Sequence, residues 1–205
     1  MAQDLNAVST LAEMLEFLRR DQMVGPSIQD TTLSVFGFSS VATDNKAFKA
    51  ELFIQAVSQE TPYCRWECFF LAITGLPLNL VEFLATLIRN NRRVQRLHIR
   101  ADQGVELTYQ DFYNLRTIID AFAQNHNGIE KEVMFLGTGR VMAKCADMSC
   151  QIANLLGEFE KLQTIRLCEC EEWFVKTMLQ GVSNNGSIRR VDLVDCDQRR
   201  QREAI

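Results

Sequence analysis

From Asn79 onward the apolar residues run at helical spacing and then switch to strict alternation, and the switch occurs four times. It is seen in NLVEFLATLIRNNRRVQRLHIRA from Asn79 and in NLRTIIDAFAQNHNGIEKEVMFLGT from Asn114. It returns in CQIANLLGEFEKLQTIRLCEC from Cys150 and in EWFVKTMLQGVSNNGSIRRVDLVDCD from Glu172. With Val94, Ile129, Leu162 and Ile188 set in one column, the positions ten before are Leu84, Ile119, Ile152 and Met178, all apolar. Six before stand Ile88, Ala123, Leu156 and Val182; seven before stand Leu87, Phe122, Leu155 and, as the one departure, Gly181. These offsets form one stripe of a helix. Asn90, Asn125 and Asn184 stand four before in three of the four, and asparagine tolerates the left-handed conformation that ends a helix.

After that cap the pairs Leu97/Ile99, Val133/Phe135, Ile165/Leu167 and Val191/Leu193 alternate with polar positions, the pattern of a short strand with one buried face. Each unit therefore predicts helix, turn, strand, with Ile152, Leu155, Leu167 and Leu193 in the core. Three residues past the second strand anchor come Asp102, Thr138, Cys170 and Cys196, short side chains that fit inside a tight bend and can bond the backbone of the next coil.

LQTIRLCEC and IRRVDLVDC resemble the leucine-rich repeat, specifically its ribonuclease-inhibitor-like subclass, through the pattern L-x-x-L-x-L-x-x-N/C-x-L with Cys at the Asn/Cys position. VQRLHIRAD places Asp102 there, and IEKEVMFLGT needs one extra residue between Ile129 and Val133, which leaves the register around 129–135 open. The resemblance implies an α/β solenoid, with helices on the convex side and short parallel strands on the concave side, and a general role as an interaction scaffold. It covers 79–197. LAEMLEFLRR with TTLSVFGFS, and FKAELFIQAVSQETPYCRWECFFLAITG, extend the same order over 10–78 as weaker, atypical repeats, with Leu33, Val35, Phe69 and Leu71 as strand anchors. The whole of 1–205 is thus expected to form a single repeat domain. A doubly wound α/β sheet shares the alternation of helix and strand, but only two inward anchors per strand and the missing G-x-G-x-x-G argue against it.

Composition fits this picture. In 205 residues, 47% are hydrophobic and 23% charged, which excludes disorder. A formal charge of −4 argues against a protein whose main task is to neutralise phosphates. Seven cysteines, an odd number, and an N-terminus without a basic start or an apolar signal core point to a reducing, cytoplasmic compartment. The stretch FFLAITGLPLNLVEFLATLI is long enough for a bilayer, but Gly75, Pro77 and Asn79 would break it and Glu82 would burden it, so a buried strand, a turn and a helix are expected instead.

No cofactor, metal or catalytic motif is evident. His98 and His126 are the two histidines, without HExxH; there is no G-x-S-x-G; and GTGR at 137–140 is read as an inter-repeat turn. Cys145, Cys150, Cys168 and Cys170 do not have knuckle spacing, which argues against a thiolate zinc site.

If Leu97 and Ile99 face the core, alternation puts Arg96, His98 and Arg100 on the exposed strand face. It adds Glu132, Met134 and Leu136, then Arg166 with Thr164 and Cys168, then Arg190 and Asp192 with Val194, and Phe36 and Phe70 from the early units. Arg, Met and Phe are residue types enriched at interface anchors, so these residues are the expected contact surface for a protein partner. Cross-strand ion pairs, Arg96 beside Glu132 and Arg166 beside Asp192, are the plainer alternative to that contact surface. Two functional alternatives stand beside the partner reading: binding of nucleic acid or another anionic ligand through the Arg89–Arg100 cluster, and an enzyme with an unrecognised site. The last coil, followed only by DQRRQREAI, is expected to be poorly covered, which suggests a place in a larger assembly.

Overall fold

The computed structural model describes residues 5–21, 32–60, 66–101, 107–137 and 146–196. Six helix-strand units follow one another. They are α1 (Leu11–Asp21) and β1 (Thr32–Val35), α2 (Thr43–Glu60) and β2 (Cys68–Ala72), and α3 (Leu78–Asn90) and β3 (Arg96–Arg100). The remaining three are α4 (Tyr109–Ala123) and β4 (Lys131–Leu136), α5 (Ala146–Gly157) and β5 (Leu162–Cys168), and α6 (Glu172–Val182) and β6 (Arg190–Val194). The strands form one parallel sheet in chain order, β1 to β6, and each helix packs on the next. This is an α/β solenoid.

The register makes continuous rows. Leu33, Phe69, Leu97, Val133, Ile165 and Val191 lie side by side, as do Val35, Leu71, Ile99, Phe135, Leu167 and Leu193. From β1 to β5 both rows are buried against the helices, whose own stripe Leu84, Ile119, Ile152 and Met178 is fully enclosed. Leu155 is only half-buried. At β6 the expectation of burial fails: Val191 is 39% and Leu193 51% exposed, because among the described residues no further strand covers the edge.

The asparagines act differently from the left-handed caps expected. Among the described residues only Glu169 and Asp195 are non-glycine residues with positive φ. Asn125 instead reaches back one coil: its Nδ2 donates to the carbonyls of Ile88, Arg89 and Asn91 at 2.8, 3.0 and 2.7 Å, satisfying the C-terminal end of α3. Asn185, one residue past the expected Asn184, does the same for Leu156 and Phe159 at 2.9 and 3.1 Å. The side-chain oxygen of Asn91, rather than of Asn90, accepts from the backbone of Arg93 and Val94 and sets the turn into β3. At the N-terminal end of α4, Thr108 and Asp111 form a capping box, and Asp111 also accepts from Gly75 N at 2.7 Å, fastening α4 to the bend after β2.

At the far end of β5 and β6 the thiols occupy the bends as expected, but their bonds run to the preceding coil and not to the next one. Cys170 Sγ donates to Phe135 O at 3.8 Å and Cys196 Sγ to Leu167 O at 3.0 Å. Each follows a residue in the left-handed region, Glu169 (φ 53°) and Asp195 (φ 51°), with Gly137 (φ 64°) in the equivalent place after β4. Asp102, Thr138, Cys145, most of GTGR and the tail after Cys196 lie outside the described residues.

The extra residue near Ile129 appears as a register shift between Lys131 and Glu132: Lys131 pairs with Leu162 and Glu132 with Thr164. Lys131, not Ile129, therefore fills the column of Val94 and Leu162, and it is 1% exposed while Ile129 is half-buried.

Candidate functional site

The strand face turned away from the helices carries two full rows of side chains. One is Thr32, Cys68, Arg96, Glu132, Thr164 and Arg190; the other is Ser34, Phe70, His98, Met134, Arg166 and Asp192. A third, shorter row runs Ala72, Arg100, Leu136, Cys168 and Val194. The nine residues singled out from the sequence thus lie on one face of β3 to β6, because parallel strands in register carry the same alternation into every coil.

Aromatic side chains extend this surface toward the N-terminal strands. Phe36 meets Phe70 edge to face at 6.5 Å between ring centroids, and Phe70 meets the His98 imidazole at 6.4 Å. The far half is charged. Arg166 lies between two carboxylates, 3.7 Å from Glu132 and 3.5 Å from Asp192, and Arg190 closes on Asp192 at 2.8 Å. The expected Arg166–Asp192 pair is present. The Arg96–Glu132 pair is not, although their Cα atoms are partners: the Glu132 carboxylate turns along the sheet to His98 Nε2 at 3.6 Å and to Arg166.

Cys68, His98 and Glu132 form a sequence of thiol, imidazole and carboxylate that alternation alone did not single out. Cys68 Sγ lies 3.7 Å from His98 Nδ1, and the other ring nitrogen faces Glu132. The order is that of a nucleophile, a base and an orienting acid, but the electrostatics run the wrong way. Burial pushes the Cys68 thiol up to about 11, outweighing the nearby Arg96, and Cys68 is only 2% exposed. Burial also lowers the His98 pKa, against the pull of Glu132. A protonated thiol beside a neutral imidazole packs the face and does not attack a substrate. The signal for this trio is the register, which puts residues 30 and 34 apart in sequence onto neighbouring strands.

Among the described residues no group of three or more His, Cys, Asp or Glu side chains could hold a metal ion, and no helix is long and apolar enough to cross a membrane. The basic residues at the end of α3 lie elsewhere: Arg89 and Arg92 line an open depression of about 480 Å³ with Gln124, Asn125, His126 and Asn127, at the helix ends. Arg89 Nε there donates to Gln124 at 3.1 Å.

No family model and no curated protein matches the chain. Among solved structures it is similar to the tropomodulin C-terminal domain of Caenorhabditis elegans, at 13% identity and a TM-score of 0.47, over 86% of this chain and 93% of that one. It is also similar to the actin-binding site 2 of leiomodin-1, at 19% identity and a TM-score of 0.45, over 87% and 91%.

Proposed function

We propose that the chain is a non-enzymatic protein-interaction module of the leucine-rich repeat kind, of the ribonuclease-inhibitor-like subclass, working in a reducing intracellular setting. Its contact surface is the strand face formed by Arg96, His98, Arg100, Glu132, Met134, Leu136, Arg166, Arg190 and Asp192. The observation that carries this reading is the row Phe70, His98, Met134 and Arg166. Four interface-type side chains stand abreast on adjacent strands, half-buried, on the face that none of the described helices fills. The inert state of the Cys68 thiol supports a binding role over a catalytic one.

The test is capture of partners from a native lysate. Met134→Glu with Arg166→Glu is expected to lose the partner while the melting temperature falls by only a few degrees, because exposed strand-face residues contribute little to folding. Arg89→Glu with Arg92→Glu, at the helix ends, is the matched control and is expected to keep it. If the control loses the partner and the strand-face variant keeps it, the binding surface lies on the helix side.

A further inference from the structure

The charges on the strand face are uneven, and the imbalance sits on β3. Asp192 is held by Arg166 and Arg190, and Glu132 by Arg166, with the His98 ring 3.6 Å away and its Nε2 making no hydrogen bond. Both carboxylates of the face are thereby matched. Arg96 and Arg100 have no ion-pair partner among the described residues, and Arg96 Nε is a buried nitrogen without an acceptor. With His98 neutral, four arginines stand against two carboxylates on this face, in a chain whose formal charge is −4. The two unmatched guanidiniums are four residues apart on one strand, roughly 13 Å. On the β2 side they are flanked by Phe70, and on the β4 side by Met134 and Leu136.

We propose that this face takes an acidic segment of a protein partner, with carboxylates on Arg96 and Arg100 and an apolar side chain seated between Phe70, Met134 and Leu136. The inference rests on the strand-face reading above and specifies the chemistry of the partner. A guanidinium pairs with a carboxylate in a two-pronged geometry, which favours Arg over Lys at such a contact. The apolar flanks favour a peptide over a nucleic acid, whose backbone offers phosphates without an aliphatic side chain beside them. Both guanidiniums lie along β3, so an extended segment of about five residues following that strand brings a carboxylate to each.

The test uses the full chain and labelled synthetic peptides read by fluorescence anisotropy. One peptide of about ten residues carries Asp and Glu with two Leu; a second replaces the acids with Lys; a third replaces Leu with Ser. A single-stranded oligonucleotide of similar charge is the fourth probe. The acidic apolar peptide is expected to bind and the Lys peptide not to, with the Ser peptide at least several-fold weaker. Arg96→Gln with Arg100→Gln is expected to weaken the first peptide tenfold or more, while Arg89→Gln with Arg92→Gln leaves it unchanged. Equal binding of the Lys peptide, tighter binding of the oligonucleotide, an unaffected Arg96/Arg100 variant or no peptide binding at millimolar concentration each overturns the proposal. The two readings fail separately. A lysate partner that is lost with Met134→Glu and Arg166→Glu yet is indifferent to Arg96→Gln and Arg100→Gln leaves the strand-face reading standing and removes this one.

Discussion

Lys131 pairs with Leu162 across β4 and β5, so an ammonium group stands in a column that Val94 and Leu162 fill with aliphatic side chains. Its Nζ donates to Val94 O, to Asn125 Oδ1 at 2.9 Å and to Asn127 Oδ1 at 2.7 Å, and it lies 5.2 Å from the centre of the Phe122 ring. Every N–H has an acceptor, yet none of these acceptors carries a charge. Burial, with a smaller contribution from Lys161, lowers its pKa to about 7.

That lowering sets a pH dependence. The unfolded chain holds this proton up to about pH 10.5 and the folded chain releases it near 7, so between those values the unfolded state binds more protons and stability rises with pH. The slope from this group approaches about 1 kcal/mol per pH unit. Cys68 acts in the opposite sense: its raised pKa makes stability fall above about pH 9. The Cys168 thiol, also raised by burial, acts with Cys68, so urea unfolding between pH 7 and about 8, below the thiol range, reads the lysine most directly. Lys131→Met is expected to remove the rise, and a variant with the wild-type slope overturns the assignment.

Asn125 binds two coils together, since one face of its amide closes the end of α3 and the other accepts from Lys131 and from Asn127 N at 3.3 Å. Asn125→Ala takes a donor from the carbonyls of Ile88, Arg89 and Asn91 and one of three acceptors from the Lys131 ammonium, and is expected to cost about 2 to 4 kcal/mol. Asn185→Ala removes a similar but half-exposed link and is expected to cost less. Denaturant midpoints of the two variants make the comparison, and an equal or reversed order contradicts it.

The helix stripes and the strand rows were legible in the sequence because each depends on a period within one unit, 3.6 or 2 residues. The inward anchors of the early strands, Leu33, Val35, Phe69 and Leu71, were readable for the same reason. What a single unit does not encode is what its neighbour supplies. Asn125 and Asn185 bond carbonyls more than 25 residues away, so their spacing suggested a local cap that the backbone does not form. The residue inserted near Ile129 could be counted but not assigned, since an aliphatic column is no obvious place for Lys131. The turn of Glu132 away from Arg96 depends on rotamers chosen among several charged neighbours.

The two leucines of one row separate the closed coils from the open edge. Leu167 is completely buried and Leu193 is half exposed, though both occupy the second anchor of their strands. Leu167→Ala is expected to cost about 2 to 5 kcal/mol and Leu193→Ala less than about 1 kcal/mol. Thermal or urea unfolding distinguishes them, and a comparable loss at Leu193 would mean that the edge is covered in solution.

Thiol reactivity should follow exposure. Cys150 is exposed on α5, while Cys68 and Cys170 are buried and the Cys68 pKa is raised to about 11. Pulse alkylation of the native protein, read by peptide mass mapping, is expected to label Cys150 well before Cys68 or Cys170. Labelling of Cys68 as fast as Cys150 would restore the case for an activated nucleophile.

Gly181 is the one gap in the apolar helix column, and the reason is a close approach of α5 and α6. A Cβ built on Gly181 would stand 2.5 Å from Ala153 Cβ and 2.6 Å from the Ala153 backbone carbon, while one on Gly157 would stand 2.3 Å from Gly181 O. Two effects then compete in Gly181→Ala. Helix propensity alone favours alanine by roughly 1 kcal/mol, since glycine loses more backbone freedom on folding. The contact opposes it, because the atoms in the way include backbone of the neighbouring helix, which cannot turn aside like the end of a long side chain, and such overpacking typically costs about 1 to 3 kcal/mol. The contact is expected to win, so Gly181→Ala should lower the urea midpoint. Gly186→Ala, where an added Cβ meets nothing within 4 Å, should leave it nearly unchanged. A rise in the midpoint for Gly181→Ala would show that the two helices can move apart at little cost and that their close packing is not what keeps the glycine there.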